Sequence, residues 1–406
     1  MEGLDRTKRA AEDAASLVLN PRFIGPCLAG LFCLVVATVL GVPYLFTMAA
    51  VLLALPAASY TVGSWMLRGC SATRAARSTT TQGERTAAMV SIQNAHGPLP
   101  GGLVVSDNLP RGIEPEPPEG VQAPQASHAE LALWFRPAKR GRYRIGPVEV
   151  RASDPLGMLR LRRRVGTTSE LIVYPKPVPI RSVRSSDGTR DTQVLRSVAR
   201  FGVPGDFSSV RDYQDGDELR RIHWKTTART QKLAVVEPEH NGAGLVTVAL
   251  DLSEGSDCGA GPRTSLDVAA GIAAYAVREL LRAGTSVRLA MPERSSVKRL
   301  DLAGPAGLPA ALAALAEAQA GSSVSAAELL RLARSSGSAV LLVVTRVEQR
   351  LAGAVRHAVA SGARVGIAVV DPSAFDPSAN VRRALVDLEQ AGASVELVRE
   401  AADEAT

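Results

Sequence analysis

The stretch "LVTVALDLSEGSDCGAGPRTSLDVAAGIAAYAVRELLRAGTSVRLAM" (residues 245–291) decides the fold. It opens on a short apolar run, 245–251, that ends at Asp251. After a loop of small and polar residues comes Thr264-x-x-Asp267, then an apolar stripe through Leu266, Ala269, Ala273, Val277 and Leu280. A hydroxyl and a carboxylate at that spacing satisfy the free N–H groups of a helix start, and Gly284 provides the stop. A second apolar run, 286–291, follows at once. Strand, helix, strand in this order makes a βαβ unit and a parallel pair.

The same rhythm runs on to residue 400. "AVLLVVT" (339–345), "RVGIAVVD" (364–371) and "SVELV" (394–398) alternate with Ala-rich amphipathic segments at 308–335, 348–361 and 379–391. Residues 241–400 therefore read as a doubly wound, Rossmann-type α/β domain with both sheet faces covered. Ligands of such folds sit at the carboxyl ends of the strands, where Asp251, Thr345 and Asp371 fall. No Gly-rich dinucleotide fingerprint and no phosphate-loop Gly-Lys-Ser/Thr follows any strand, which disfavours a dehydrogenase or an NTPase.

Upstream, residues 84–180 lose the helical period. Short apolar or alternating runs such as "AAMVSIQN", "AELALWF", "YRIGPVEVRA" and "ELIVYP" are divided by turn residues including Gly97-Pro98, Pro110 and Gly141. Strands at that spacing predict an all-β, sandwich-like domain. Further upstream, 23–41 and 44–67 carry no charge. Each is long enough to cross about 30 Å of hydrocarbon as a helix. The Gly41-Val42-Pro43 break allows only a tight turn, so 23–67 reads as a transmembrane hairpin behind an N-terminal segment, 1–22. Four acids before the first run, and no small-residue cleavage site between the runs, argue against a signal peptide. Arg6, Lys8, Arg9 and Arg22 precede the hairpin, and Arg68, Arg74 and Arg77 follow it. The positive-inside rule then places both ends, and the domains beyond, on the cytoplasmic side of a two-pass inner-membrane protein.

The 406 residues carry a net charge of +7, but its distribution is local. Between 136 and 164 there are ten Arg or Lys against Glu149 and Asp154. Only Trp134, Phe135 and Tyr143 interleave with them, too few aromatics for a nucleic-acid platform. The patch reads either as a solvated sheet face or as a surface held near an anionic leaflet. Cys27, Cys33, Cys70 and Cys258 show no paired spacing, so neither a disulfide framework nor a zinc site is expected.

Between the two soluble domains, within 196–240, stands "GDFSSVRDYQDGDELRRIHWKTTAR" (205–229). Three readings stay open. His223 with Asp215 or Asp217 could serve as an acid–base pair and Ser208 or Ser209 as nucleophile, although no Gly-x-Ser-x-Gly turn supports a serine enzyme. Arg211, Arg220, Lys225 and Arg229 suit a phosphate or a partner's acidic groups. The third reading is an interdomain clasp of Arg–carboxylate pairs around buried Tyr213, Ile222 and Trp224. Asp217 could N-cap a short helix running through Arg229, or 219–225 could be a strand.

Arg211-x-Tyr213-x-x-Gly216-Asp217-x-x-Arg220-x-Ile222-x-Trp224, followed by Arg229, resembles the signature of the bacterial family known as domain of unknown function 58. The two apolar runs, the β-region and the Asp154-Pro155-Leu156-Gly157 turn extend the resemblance over nearly the whole chain. It implies a von Willebrand factor A-like α/β domain and an interaction or scaffold role, with a MoxR-type AAA+ ATPase as partner in assembly at the cell envelope. The signature residues would then act in interdomain or partner docking. Asp251-Leu252-Ser253 resembles the start of the Asp-x-Ser-x-Ser metal loop of von Willebrand A domains. Gly255 takes the third position there, Ser256 comes one residue late, and Arg346 stands where that family has its distant aspartate. A guanidinium opposes a dication, so no cofactor is expected, with Mg²⁺ at Asp251 and Ser253 the one candidate. The rival reading is a metal-dependent or hydrolytic envelope enzyme. Oligomeric state stays open.

Overall fold

A computed structural model describes residues 16–19, 21–153, 157–180, 207–212, 224–230, 232–238, 245–259, 263–333, 339–375 and 381–399. The chain divides into two compact units, Met1–Val173 and Tyr174–Thr406.

The first unit opens with strand β1 (Ser16–Leu19), followed by helices α1 (Pro21–Leu40) and α2 (Pro43–Arg68). Their bounds lie within two residues of the two uncharged runs. They meet closely at Gly30, where a Cβ would come within 2.8 Å of Leu53 Cγ. Small residues permit such approach between apolar helices. Elsewhere their apolar side chains point outward: Phe32 is 70% exposed and Tyr44 81%. Thr38, Thr47, Thr61 and Ser64 each donate their hydroxyl hydrogen to the carbonyl three residues back, so these hydroxyls are satisfied within the helices.

The β-region starts earlier than residue 84. Its strands are β2 (Cys70–Ala76), β3 (Thr79–Thr81), β4 (Thr86–Asn94), β5 (Val104–Asp107), β6 (Ile113–Glu116), β7 (Val121–Gln122), β8 (His128–Pro137), β9 (Gly141–Ile145), β10 (Val148–Ser153), β11 (Leu159–Val165) and β12 (Ser169–Tyr174). They form three sheets, ordered β1-β11-β10-β5-β7, β2-β4-β8-β6 and β3-β12-β9. The described pairings are antiparallel. One core joins Val105, Val148, Val150 and Leu161 of the first sheet to Val90, Ile92 and Leu131 of the second, and Leu67 of α2 packs into it. A smaller cluster holds Phe135 against Ile145, Leu171 and Val173. Buried Arg74 and Asp107 pair across the first two sheets. Burial pushes the Asp107 carboxyl up even so, with Arg74 pulling it down.

The second unit begins with an extended segment, 174–180. After it come the hairpin strands β13 (Phe207–Asp212) and β14 (Ala234–Pro238), with helix α3 (Trp224–Thr230) between them in sequence. The α/β domain follows: β15 (Leu245–Leu250), α4 (Ser265–Arg282), β16 (Ser286–Glu293), β17 (Ser296–Leu302), α5 (Leu308–Glu317), α6 (Ala326–Ala333), β18 (Ala339–Val344), α7 (Gln349–Ala360), β19 (Arg364–Val370), α8 (Arg382–Gln390) and β20 (Ser394–Val398). The sheet order is β17-β16-β15-β18-β19-β20, parallel except for β17. One apolar cluster packs α4 and α5 against one face, and a second packs α6, α7 and α8 against the other.

The predicted capping box forms. Thr264 Oγ1 accepts from Asp267 N, and Asp267 Oδ2 accepts from Thr264 N. Two predictions need correction. The segment 308–335 is two helices, because Ala318 turns extended (ψ 127°) and the chain bends back through Gly321. Strand β17 lies outside the strand–helix rhythm of the sequence; it is an exposed edge whose side chains keep no clean alternation. Segment 174–180 crosses α4 at Gly271, whose carbonyl accepts from Val178 N at 3.1 Å. A Cβ at Gly271 would fall on the Lys176 carbonyl oxygen. On β20, Glu396 is buried and its Oε1 has no partner among the described residues; burial pushes its carboxyl up to about 7.

Candidate functional site

Strand succession reverses between β15 and β18, and in open α/β sheets that reversal opens a crevice at the carboxyl ends of the strands. The residue after β15 is Asp251, whose N–H donates to Val343 O on β18 at 3.0 Å. Asp251 is buried, and its Oδ1 accepts from Ser253 N at 3.0 Å. Burial and the charge of Glu348 push its carboxyl up, while hydrogen bonds from Ser253 pull it down. The loop turns at Gly255 and brings in Ser256, which is fully buried. Ser256 O accepts from Thr345 Oγ1 (2.6 Å) and Ser265 Oγ (3.0 Å). Ser256 Oγ has no partner among the described residues.

A second loop fastens the first. Gly321 N and Ser322 N both donate to Leu252 O, and Glu254 N donates to Ser322 O. Ser322 Oγ, Ser323 Oγ and Ser323 N converge on Arg294 O, at 2.8, 3.0 and 2.9 Å. Arg294 holds φ at 48°. That left-handed conformation is one a side chain resists, and the three bonds keep it there. Beside the loops opens a cleft of about 670 Å³, lined by Leu252, Met291, Glu293, Arg294, Lys298 and Ser322 among others. Sequence reasoning misses this cleft, whose walls come from loops distant in the chain.

The structure thus gathers Asp251 and Thr345, which the sequence places at the ends of β15 and β18, with Ser253 and Ser256 of the loop that follows β15. Asp371 is otherwise engaged. Its Oδ1 accepts from Ser373 N and Oγ, and its Oδ2 from Arg399 Nε. Burial would raise its carboxyl, but the Ser373 and Arg399 contacts hold it below the ordinary value.

As a cation site the crevice fits poorly. A hard divalent ion takes about six oxygens. Here Asp251 supplies a carboxylate with the Glu348 charge nearby, but Thr345 already directs its hydroxyl at a loop carbonyl, and Arg346 Nη1 lies 3.5 Å from where a Gly255 Cβ would stand. Among the described residues no group of three His, Cys, Asp or Glu side chains is placed to hold a metal.

Of the signature, Arg211 lies on β13 opposite Val235. Tyr213, Gly216, Asp217, Arg220 and Ile222 lie outside the described residues, as does His223. Trp224 and Lys225 open helix α3, which removes the strand alternative at that end. Trp224 is 67% exposed, so it is not the buried clasp residue that its size predicts. Arg229 on the same helix is exposed too.

Residues 209–400 match the family described as "Protein of unknown function DUF58". The match begins two residues before Arg211 and does not include the apolar helices or the β-region, to which the sequence extends the resemblance. Over 167 residues the chain is 28% identical to "Uncharacterized protein YeaD" of Bacillus subtilis (strain 168). That alignment takes in 37% of this chain and 39% of the relative, so the chain spans about two-fifths of that protein's length.

Proposed function

We propose that this chain is a non-enzymatic docking protein, anchored in the cytoplasmic membrane by α1 and α2. Its signature segment and von Willebrand A-like domain would receive a MoxR-type AAA+ ATPase that supplies the energy for envelope assembly. The carrying observation for the anchor is that two helices long and apolar enough to cross a membrane turn their side chains outward. Only 11% and 17% of their most apolar windows are buried. A core helix of a soluble protein hides such a surface, and an apolar face this large left open marks a contact with lipid or protein. The docking half rests on Trp224 and Arg229, both exposed on one short helix. Residues of these types dominate binding energy at interfaces. The six-stranded order with an antiparallel edge, and the Asp251-x-Ser253 loop, support the von Willebrand A-like reading. The family resemblance alone supports the ATPase and the cytoplasmic side.

The test uses the detergent-solubilised full chain and a purified MoxR-type ATPase. Trp224→Ala should weaken capture about thirtyfold, the effect of a ~2 kcal/mol hot spot, at unchanged melting temperature. Unchanged capture would reject Trp224 as the docking residue. Release of the chain from membranes by alkaline carbonate would reject the anchor. The enzyme reading returns if millimolar Mg²⁺ raises the melting temperature and Asp251→Ala abolishes the rise.

A further inference from the structure

Strand β11 is bracketed by the ends of both apolar helices. Leu19 of β1 pairs with Leu159, and α1 begins two residues after Leu19. At the other end, Arg163 Nη1 donates to Leu67 O at 2.8 Å and Arg68 O at 2.6 Å, the last carbonyls of α2. Those carbonyls carry the negative end of the helix dipole, so a guanidinium suits them; Leu67 O also accepts from the C-cap N–H of Gly69. Four residues of strand span about 13 Å, enough to bridge two packed helices whose axes lie about 8–10 Å apart. A hairpin puts the start of α1 and the end of α2 on one side of the bilayer. Resting on the proposed membrane anchor, β11 must therefore run along the interface, roughly parallel to the membrane plane.

What β11 carries there is a row of cations. Its inward side chains are Leu159, Leu161 and Val165, all buried, and Arg160, Arg162 and Arg164 alternate with them on the exposed face. Arg151 of β10 stands opposite Arg162 in register. Glu149 sits between them, 3.4 Å from Arg151 and 3.6 Å from Arg162. This face also lines a groove of about 820 Å³, walled by Arg151, Arg160 and Arg162 with Glu119, Gln122 and Glu149. We propose that this sheet face, Arg160, Arg162 and Arg164 with Arg151, is a docking surface for the phosphates of anionic phospholipid headgroups in the leaflet that α1 and α2 enter. Guanidinium forks match phosphate oxygens in pairs. The row lies one strand in from the β1 edge that leads into α1.

The test reconstitutes the full chain in nanodiscs of phosphatidylcholine containing about 30% phosphatidylglycerol, enough anionic lipid to give the surface a negative potential. After mild detergent extraction, the co-purifying lipids are quantified by mass spectrometry. Phosphatidylglycerol should be enriched over its bulk fraction, with each arginine near the surface worth roughly fivefold in lipid preference. The triple variant Arg160→Gln, Arg162→Gln, Arg164→Gln should abolish the enrichment. A control with the same charge change on other sheets, Arg136→Gln, Arg142→Gln, Arg144→Gln, should keep it. Equal loss in both variants would mean that overall charge acts, not this face, and would overturn the proposal. So would absence of enrichment in a wild-type chain that does insert into the nanodiscs. Duplex DNA binding lost in the first variant, without lipid enrichment, would assign the row to nucleic acid and overturn it likewise. Failure to insert into phosphatidylcholine alone would instead break the anchor on which the proposal rests, and folding of each variant is checked by its melting temperature.

Discussion

Helices α2 and α4 are both long and apolar, yet they meet opposite surroundings. In α4 every residue from Ser265 to Ala274 is buried, with the sheet on one side and segment 174–180 crossing at Gly271. Its apolar residues are mostly alanine and glycine on that stretch, because close backbone approach on several sides leaves no room for bulk. In α2 only Ala49, Pro56, Ser59, Gly63 and Leu67 are buried, while Val51, Trp65 and Tyr44 stand out. Hydrophobicity alone does not separate the two cases. Side-chain size does: a helix packed all round by protein is built small, and one left to an apolar solvent can be built large.

A charge placed in each helix should break that equivalence most sharply. Ala273 is fully buried. Ala273→Asp leaves an unpaired carboxylate there and should cost about 3–5 kcal/mol, so that the α/β domain fails to melt cooperatively. Phe32→Asp in α1 should leave that melting transition in place. It should instead weaken membrane retention by roughly 2.5–3.5 kcal/mol, read as chain released on flotation. Equal damage to both readouts would dissolve the distinction between the helices.

Methyl groups make a finer version of the same test. At Gly271 a Cβ would meet backbone, and at Gly30 only the side chains of Leu52 and Leu53. Gly271→Ala should lose about 1–3 kcal/mol of packing against up to ~1 kcal/mol gained in helix propensity. The expected outcome is a net drop of a few degrees in melting temperature. Gly30→Ala should move the melting temperature less than Gly271→Ala does.

The pH dependence of the α/β domain has a fixed sign. The Glu396 carboxyl rises from 4.5 when unfolded to about 7 when folded, so the fold favours its neutral form. Its contribution is complete below pH 4.5 and is lost as pH rises through 7. The slope is at most about 1.4 kcal/mol per pH unit. Denaturant titrations at pH 5 and pH 8 should show a smaller difference for Glu396→Gln than for the wild type. The smallest expected effect is that of Mg²⁺, which should leave the melting temperature unchanged, given the Arg346 guanidinium beside Gly255.

Much of the α/β domain is legible because its signals are local. The apolar runs match five of its strands, and Thr264 with Asp267 marks the start of α4 to the residue. The exceptions lie where long-range contact decides. "SLVL" at β1 is too short to read as a strand, and its partner β11 comes only after both helices and most of the β-region. The tie between Leu252, Ser322 and Arg294 is made largely by backbone atoms that every residue possesses, so sequence carries little trace of it. Trp224 misleads in the opposite way: a large aromatic predicts burial, and only the fold reveals that most of it stands exposed.

A single residue, Gly69, separates the end of α2 from the start of β2, and Arg163 ties that same helix end to β11. With Leu67 packed in the β-core, the joint has no slack in which to swivel. If α1 and α2 cross a bilayer, the β-region cannot drift like a balloon on a string. It stands at one altitude and one azimuth above the lipid, and any tilt of α2 turns it as a rigid mast turns its crosstree.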